Sequence, residues 1–341
     1  MIRAMGDEYI GRIKDLHIKA CLQQDVEFET TNGFEAYQLT GNLPDFSFEK
    51  IDTSCELFGR TLSVPLLISP LTGGGKESLR INKNLAEAAQ RLNIAMAVGS
   101  QTIMLKHPET LSSFYVRDVA PDILLFANLG LVHLNYGLDR DGCLKAVESI
   151  GADGLILYLN PLQEILQKEG AKNFQGLLAK LAQLCEDFPY PIIVKEIGFG
   201  FSDKVLMKLK EIRIAAVDVA GKGGTNWAKV EWSLNDGIQI EPYEEFGVPT
   251  AEALRKAVEI MPEVPVFASG GIRTGVEMAK ALAMGAKCVG MGLPFLKWAY
   301  QSADRVVEEV RKLSEELKAS MWYVGAKNLE GLRGKIKPRM I

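Results

Sequence analysis

The most informative segment of this chain is Val266-Phe267-Ala268-Ser269-Gly270-Gly271-Ile272-Arg273-Thr274-Gly275. Its apolar first half predicts a buried strand, and its Ser-Gly-Gly turn leads into a helix that we predict over residues 276–284. A second glycine turn follows the next apolar run, in Cys288-Val289-Gly290-Met291-Gly292-Leu293-Pro294. Glycine lets backbone N–H groups approach an anion, and a helix N-terminus adds partial positive charge. The two turns therefore indicate a phosphate site, although short glycine turns also join strands to helices without any ligand.

Six further apolar runs precede these two, and amphipathic stretches separate most of them. Near-continuous apolar runs are typical of parallel strands that helices bury on both faces. Eight such units predict an α/β fold, a (β/α)8 TIM barrel in which the two glycine turns follow the last two strands. An open doubly wound sheet is the alternative, but no Gly-x-Gly-x-x-Gly follows the first run. The predicted strands are Val64–Ser69, Ala95–Val98, Ile123–Asn128, Gly154–Asn160, Ile192–Ile197, Ile214–Ala220, Val264–Ser269 and Lys287–Met291.

The chain divides into one large domain with two smaller ends. Residues 1–60 form a predicted N-terminal extension, residues 61–325 the barrel, and residues 326–341 a basic C-terminal tail that we expect to be mobile. The charged, amphipathic pattern of residues 304–320 predicts a helix that closes the barrel. The segment 231–249 is long for a barrel loop and is interpreted as a lid or an interface insert.

Composition excludes several classes of protein. The 341 residues carry a net charge of −4, so no basic field favours nucleic acid or an anionic membrane. Five scattered cysteines and three histidines, without any Cys-x-x-Cys, argue against a zinc site and indicate reduced thiols. No apolar run approaches the roughly 18 residues of a membrane span, and the charged first fifteen residues do not resemble a secretory signal. We therefore expect a cytoplasmic protein.

Polar side chains interrupt the apolar pattern at the predicted carboxyl ends of the strands, where barrel enzymes carry their chemistry. Lys195 follows Ile192-Ile193-Val194 and is expected to point into the barrel mouth, where a buried ammonium needs an anionic partner. That partner is either a core carboxylate, Glu196 or Asp218, or the negative charge of a ligand such as a flavin ring. Three uncharged groups can contact a planar cofactor or merely cap a strand end: Thr72, Ser100 and Asn128.

Two further sets of residues are compatible with a phosphorylated substrate. Gln163 and Glu164 follow the fourth predicted strand and form either an ordinary solvated helix start or, through Glu164, an oxygen ligand for Mg²⁺. Lys14 and His17 share one face of a helix predicted over Tyr9–Leu22, where they either face solvent or reach a phosphate.

Taken together, the motifs resemble those of the type 2 isopentenyl-diphosphate isomerase family. The resemblance runs from about residue 12 to residue 330, and the order and spacing of its segments make it specific where any single motif is not. The segments are Leu71–Gly74, Ala97–Gln101, Ala127–Gly130, Leu159–Glu164, Val194–Gly200, Gly223–Trp227, Ser269–Gly275 and Gly290–Phe295.

The resemblance implies a barrel flavoprotein that binds FMN, requires Mg²⁺ and works with the flavin reduced by NADPH. It implies the isomerisation of isopentenyl diphosphate to dimethylallyl diphosphate, a step of isoprenoid biosynthesis in which reduced flavin acts as acid and base. It further implies a cytoplasmic homotetramer or homo-octamer whose partner is this small prenyl diphosphate, with no nucleic acid and no membrane.

The same resemblance implies roles for individual residues. Gln163 and Lys195 would be catalytic, and Glu164 would bind Mg²⁺. The substrate would contact Lys14, His17, Asn160 and Gln163. The FMN ring and ribityl chain would contact Thr72, Gly73, Ser100, Asn128, Lys195 and Thr225. The FMN phosphate would contact Gly271, Ile272, Arg273, Gly292 and Leu293.

Departures from the family concentrate on the substrate side. Ile13 stands where the family usually has an arginine, and Tyr158 stands where it usually has a histidine, so two cationic contacts to a diphosphate are lost. Either the chain is an isomerase with a rearranged diphosphate site, in which Arg12 replaces the arginine, or it is an FMN-dependent paralogue with a different substrate. The retained residues Asn160, Gln163 and Glu164 favour the isomerase.

Two other classes of function remain open at this point. An FMN oxidoreductase of the 2-hydroxyacid oxidase type would carry a His-Arg pair near the flavin, and the late strand ends of this sequence offer no histidine. A flavin-binding protein without catalysis would not need Gln163 and Glu164.

Overall fold

The computed structural model describes residues 15–167, 169–234 and 243–339. Residues 15–23 are helical (α1) and lie within the helix predicted over Tyr9–Leu22, whose first residues fall outside the described part. A short strand, β1 (Tyr37–Leu39), follows, and then a hairpin formed by β2 (Cys55–Leu57) and β3 (Arg60–Leu62). The boundary drawn at residue 60 falls inside this hairpin, so the barrel proper begins at the next strand.

Eight parallel strands of the described residues form a closed barrel, in chain order around the ring, with the last strand paired to the first. This arrangement confirms the (β/α)8 prediction and excludes the open sheet. Each predicted apolar run overlaps one strand, and most strands are shorter than their run, whereas β6 extends two residues beyond its run. The strands are β4 (Leu66–Ile68), β5 (Ala95–Ala97), β6 (Leu125–Gly130), β7 (Gly154–Tyr158), β8 (Ile192–Lys195), β9 (Ala216–Asp218), β10 (Val266–Ser269) and β11 (Cys288–Met291).

Helices follow every barrel strand and bury its outer face. The helix after β10 shows how the sequence fixes its start, because Thr274 and Glu277 form a reciprocal capping box that satisfies the first N–H groups. The helices are α2 (Lys76–Leu92), α3 (Thr102–Lys106), α4 (Arg140–Glu148), α5 (Pro161–Leu166), α6 (Leu177–Asp187), α7 (Asp203–Lys210), α8 (Trp227–Trp232), α9 (Thr250–Ile260), α10 (Gly275–Ala283), α11 (Leu293–Gln301), α12 (Ala303–Tyr323) and α13 (Leu329–Leu332).

The β2–β3 hairpin closes the amino-terminal end of the barrel. Its residues Leu57 and Leu62 are buried in one cluster with the inward-facing apolar residues of the strands. Phe58, at the turn, packs edge-on against Phe126, with 5.8 Å between the ring centroids, and also contacts Phe267. Because apolar side chains fill this end, only the carboxyl ends of the strands are left to form a site.

The C-terminal segment packs on the barrel. A strand, β12 (Ile336–Pro338), pairs antiparallel with β1, and Leu332 of α13 is fully buried. Apolar contact and strand pairing hold this segment, so the prediction of a mobile tail is wrong for residues 327–339.

The segment 231–249 begins inside a helix rather than in a loop, which corrects its predicted start. Glu231 belongs to α8, whose first turn is capped by the Asn226 side chain. Residues 235–242 lie outside the described part. The chain returns to the barrel at Val248, whose N–H donates to Phe199 O over 2.7 Å. A lid or interface role for the segment stays a prediction, as does the oligomeric state.

All five cysteines lie in the described residues and are unpaired thiols, four of them buried. No helix among residues 15–167, 169–234 and 243–339 combines the length and apolarity that crossing a membrane would need.

Candidate active site

Alternation along the strands places polar side chains directly above the apolar interior. Successive strand residues point to opposite faces, so a residue two positions after an inward apolar residue also faces inward. The pairs are Phe126 and Asn128, Ile193 and Lys195, and Phe267 and Ser269. The second member of each pair lines a cavity of about 390 Å³ at the carboxyl ends of the strands. This volume lies within the range of small-molecule sites.

Lys195 is held in a fixed polar cluster at the base of the cavity. Its Nζ lies 3.2 Å from Asp218 Oδ2, 2.9 Å from Glu196 O and 3.2 Å from Ser269 Oγ. The Ser269 hydroxyl in turn donates to Asp218 Oδ1 over 2.7 Å. The core partner of Lys195 is therefore Asp218 and not the Glu196 carboxylate. Because the ion pair and the two hydrogen bonds fix the ammonium group, Lys195 acts as a positioned cation at the cavity wall.

Asn128 presents an unused acceptor to the cavity. Its N–H donates to Gln101 Oε1 over 3.0 Å, and the Gln101 amide is fixed by Ala146 O at 2.8 Å. Asn128 Oδ1 is buried and has no hydrogen-bond partner in the described part of the chain. A buried amide oxygen is costly to leave unpaired, so a ligand with an N–H or O–H donor fits this position.

The two glycine turns also face the cavity. Gly271, Arg273, Gly292 and Leu293 line it, together with Thr72, Ser100 and Thr225, whereas Gly73 and Ile272 do not. A Cβ on Gly271 would lie 2.1 Å from Gly223 O, and the residue has φ +74°. This glycine is therefore required for close backbone packing whether or not a phosphate binds. The Arg273 guanidinium already pairs with Glu27.

Asn160, Gln163 and Glu164 lie together at the start of α5. Asn160 Nδ2 donates to Gln163 Oε1 over 3.0 Å and to Glu164 Oε1 over 2.8 Å, and the Ala171 N–H donates to Glu164 Oε2 over 2.6 Å. Glu164 is only 6% exposed, so the alternative of a solvated helix start is wrong for it. Asn160 Oδ1 is another buried acceptor without a partner among the described residues.

Glu231 joins these residues to His17, although no motif in the sequence identified it as a site residue. Gln163 Nε2 and Gln167 Nε2 donate to Glu231 Oε1 over 2.8 and 2.7 Å, and His17 Nε2 lies 3.2 Å from the same oxygen. Burial raises the pKa of Glu231, but the contacts with His17 and the two amides outweigh it and hold the pKa below its ordinary value. Trp227, one helical turn before Glu231 on α8, also contacts His17, with the two rings edge-on. Lys14 lies outside the described residues.

A third part of the cavity wall comes from the ends of β5, β6 and β7. The Tyr158 hydroxyl donates to Ser100 Oγ over 3.1 Å, and Ser100 Oγ lies 3.2 Å from Thr102 Oγ1. Burial raises the pKa of Tyr158 to about 12, so this side chain is a neutral donor near pH 7. Lys106 and His133 line the same cavity, although neither carried a recognisable motif.

A magnesium site would depend on Glu164. Within the described ranges, no group of three or more His, Cys, Asp or Glu side chains could hold a metal ion. Mg²⁺ is nevertheless often bound by one carboxylate together with substrate phosphates, and Glu164 lines the cavity. The donor set is therefore compatible with Mg²⁺ only when a phosphorylated substrate completes it.

The closed barrel and its polar cavity define a barrel enzyme of the flavin-binding class. The chain matches the family described as FMN-dependent dehydrogenase over residues 20–109 and 162–338. It is 42% identical to an isopentenyl-diphosphate delta-isomerase of Nostoc sp., over 93% of this chain and 92% of the relative. It is 44% identical to the Thermococcus kodakarensis protein of the same name, over 93% and 88%. The chain belongs to the FMN-dependent, type 2 isopentenyl-diphosphate delta-isomerase family, which confirms the resemblance.

A solved structure supports the fold alone. A mandelate oxidase variant bound to (S)-mandelic acid superimposes with a TM-score of 0.68 at 17% identity, over 99% of this chain and 98% of that one. FMN is the cofactor of the family, and the fit of the site to it is supported by the Asn128 acceptor, the Lys195 cation and the glycine turns.

Proposed function

We propose that the protein converts isopentenyl diphosphate to dimethylallyl diphosphate with reduced FMN, and that Mg²⁺ assists on the diphosphate and NADPH supplies the reducing equivalents. The observation that carries the proposal is one cavity with two chemically different sides. Lys195, Asn128 and the glycine turns suit a flavin on one side. The buried Asn160 and Glu164, together with the half-buried Gln163, suit a small polar substrate on the other.

The reaction needs a proton delivered to one carbon and removed from another. An alkene is a weak base, so the proton donor must be close to it, positioned and shielded from water. When bound, reduced FMN supplies a proton donor and acceptor beside the substrate. Lys195, fixed by Asp218, would stabilise negative charge on the neighbouring ring, because it is already ordered and does not have to reorient.

The substrate side would fix the distance between the alkene and the flavin. Asn160 orients both Gln163 and Glu164 through its amide group, and Ala171 N–H holds the second oxygen of Glu164. Mg²⁺ on Glu164 would neutralise the diphosphate and anchor it. Gln163 would contact the substrate, while its own amide is restrained by Glu231.

An isotope experiment tests this function directly. The FMN-loaded protein is incubated with NADPH, Mg²⁺ and isopentenyl diphosphate in heavy water, and dimethylallyl diphosphate and deuterium in both compounds are followed by NMR. We expect product and deuterium uptake that depend on both the reductant and Mg²⁺. A flavin-loaded, reduced protein that gives neither product nor deuterium uptake would show that the substrate is different. Activity that survives chelation of the metal would remove Glu164 from its proposed role.

A further inference from the structure

Asp218 is a buried carboxylate that pairs with the cavity lysine without reaching the cavity itself. Lys195 lines the cavity, whereas Asp218 is fully buried and does not. The distance from Lys195 Nζ to Asp218 Oδ2 is 3.2 Å, and no hydrogen-bond donor reaches Oδ2 in the described part of the protein. The negative charge on this oxygen is therefore compensated chiefly by the Lys195 ammonium group.

The position of Asp218 is fixed by its other oxygen and by the barrel. Oδ1 accepts a hydrogen bond from the Ser269 hydroxyl over 2.7 Å and another from the Ala220 N–H over 3.2 Å. Asp218 ends β9 directly opposite Lys195, which ends β8. Because the register of two paired strands holds both side chains, the carboxylate is a permanent neighbour of the ammonium group.

The pair presents the cavity with a positive charge that is partly cancelled. Coulomb energy falls only as the inverse of distance, so a carboxylate 3.2 Å from an ammonium group cancels a large part of its field at a bound ligand. Asp218 has no exposed surface, so bulk solvent screens its charge little. A cation without such compensation would hold the anionic form of a reduced flavin so strongly that this form would be a poor proton acceptor. The proposed isomerisation needs a proton to be given and taken back.

We propose that Asp218, acting through Lys195, is a positioning residue that limits how strongly the site favours reduced over oxidised FMN. Its charge keeps the reduced flavin able to exchange a proton in both directions. The benefit for isomerisation rests on the proposed function, whereas the effect on the flavin requires only that FMN is bound.

The reduction potential of bound FMN tests the inference without any substrate. The FMN-loaded proteins are reduced stepwise beside a reference dye at a single pH, and the potential relative to free FMN gives the ratio between the dissociation constants of oxidised and reduced FMN. Asp218→Asn keeps the shape of the side chain and removes its charge. We expect this variant to raise the ratio about tenfold, which corresponds to a potential about 30 mV higher for a two-electron couple. A ratio in Asp218→Asn that is no higher than that of the wild type would overturn the inference.

A second variant serves where Asp218→Asn does not fold, because that substitution leaves a buried ammonium group without its counter-ion. The double variant Lys195→Met/Asp218→Asn carries neither charge. If Asp218 compensates Lys195, the ratio in the double variant should lie within about fivefold of the wild-type ratio. A larger loss would show that Lys195 acts with its full charge, which contradicts the proposal.

Two controls separate the charge of Asp218 from other effects. Ser269→Ala removes the hydroxyl that contacts both partners but keeps both charges, so it should change the ratio by less than about threefold. Asp141→Asn makes the same chemical change at an exposed position on α4 and should leave the ratio unchanged. A rise in Ser269→Ala as large as that in Asp218→Asn would assign the effect to hydrogen bonding and contradict the proposal. The expected shift in Asp218→Asn, found in a protein that does not isomerise isopentenyl diphosphate, would leave the inference standing and contradict the proposed function.

Discussion

Lys195 illustrates how a buried charge can serve both the fold and the site. Its position after three apolar residues made an inward orientation predictable, but the choice between Asp218, Glu196 and a ligand depended on register between neighbouring strands. Lys195 lies opposite Asp218 in the β8–β9 pairing, and this register brings the two side chains together. Removing Asp218 alone would leave an uncompensated buried ammonium, so the pair must be regarded as one unit.

The residues of the site were predictable where they follow an apolar run or belong to a recognised motif, and were not predictable where only packing brings them to the cavity. Lys195 follows three apolar residues, so the sequence predicted that it would point into the barrel mouth. Asn128 could equally have capped a strand end, and the structure places it at the cavity. Glu231 belongs to a helix in a segment interpreted as an insert, and only the three-dimensional packing brings it to Gln163 and His17.

Asn128→Leu should separate flavin binding from folding. The substitution keeps the side-chain shape but removes the buried Oδ1 that lacks a partner in the described part of the protein. We expect FMN affinity to fall about tenfold or more, because a ligand donor loses its acceptor, while the apo-protein keeps or slightly gains stability. Flavin fluorescence titration and urea unfolding measure the two quantities. Asn84→Leu, on α2 outside the cavity, is the control and should leave FMN affinity unchanged. Unaltered FMN affinity in Asn128→Leu would remove this residue from the flavin site.

At the scale of elements, the sequence predicted the type and order of every barrel strand but not their ends. The predicted run Ile214–Ala220 contains only three strand residues, because β9 ends at Asp218 and Ala220 takes a φ of +38°. Such ends depend on which neighbouring strand offers a hydrogen-bond partner, and one sequence does not contain that information. The C-terminal strand β12 was missed for the same reason, since its partner β1 lies some three hundred residues earlier.

The turn after β8 is organised by a buried carboxylate. Glu196 Oε2 accepts hydrogen bonds from the N–H groups of Ile197, Gly198, Phe199 and Gly200, over 2.6, 2.8, 2.6 and 3.2 Å. Burial raises the pKa of Glu196 to about 7, even though these N–H groups and Lys195 favour the ionised form. Ile197 and Gly198 line the cavity. By binding their N–H groups, the Glu196 carboxyl group fixes the backbone of this part of the site.

The raised pKa gives a pH dependence of stability with a definite sign. Between the ordinary pKa of 4.5 and about 7, the folded protein holds a proton on Glu196 that the unfolded chain releases. The contribution of protonated Glu196 to the free energy of unfolding is therefore fully present below about pH 4.5, and it is lost as the pH rises through about 7. We expect the unfolding free energy of the wild type, relative to Glu196→Gln, to fall over this window by at most about 1.4 kcal/mol per pH unit.

Urea unfolding of both apo-proteins at several pH values between 4.5 and 8 checks this expectation. Glu148→Gln replaces an exposed carboxylate on α4 and should give a difference from the wild type that does not change with pH. A difference between wild type and Glu196→Gln that stays flat or rises with pH would show that Glu196 is ionised in the fold throughout.

At the scale of the whole molecule, barrel closure decides where ligands can act. The β2–β3 hairpin fills the amino-terminal end, and the pairing of β11 with β4 brings the two glycine turns beside the first strand end. The turns therefore belong to the same cavity as Asn128 and Lys195, although they lie far apart in the chain. A ligand that spans this cavity contacts strands from all around the ring, so its binding should stabilise the entire fold and not one region of it.

Thermal unfolding with FMN and with riboflavin tests whether the glycine turns bind the phosphate of the flavin. A ligand at a hundred times its dissociation constant stabilises the native state by about 2.7 kcal/mol, so FMN should raise the melting temperature of the flavin-free protein in a concentration-dependent way. Riboflavin has the same ring and ribityl chain but no phosphate, and at equal concentration we expect a clearly smaller increase in the melting temperature.

Gly292→Ala is a usable variant for the same comparison, because the φ of Gly292 is −113° and the new Cβ would meet only Leu71 Cδ2, at 3.3 Å. This substitution should reduce the difference between the melting-temperature increases caused by FMN and by riboflavin, while the increase caused by riboflavin stays the same. Equal stabilisation by the two flavins in the wild type would mean that the turns at Gly271 and Gly292 serve backbone packing alone, and that the phosphate site inferred from the sequence does not exist.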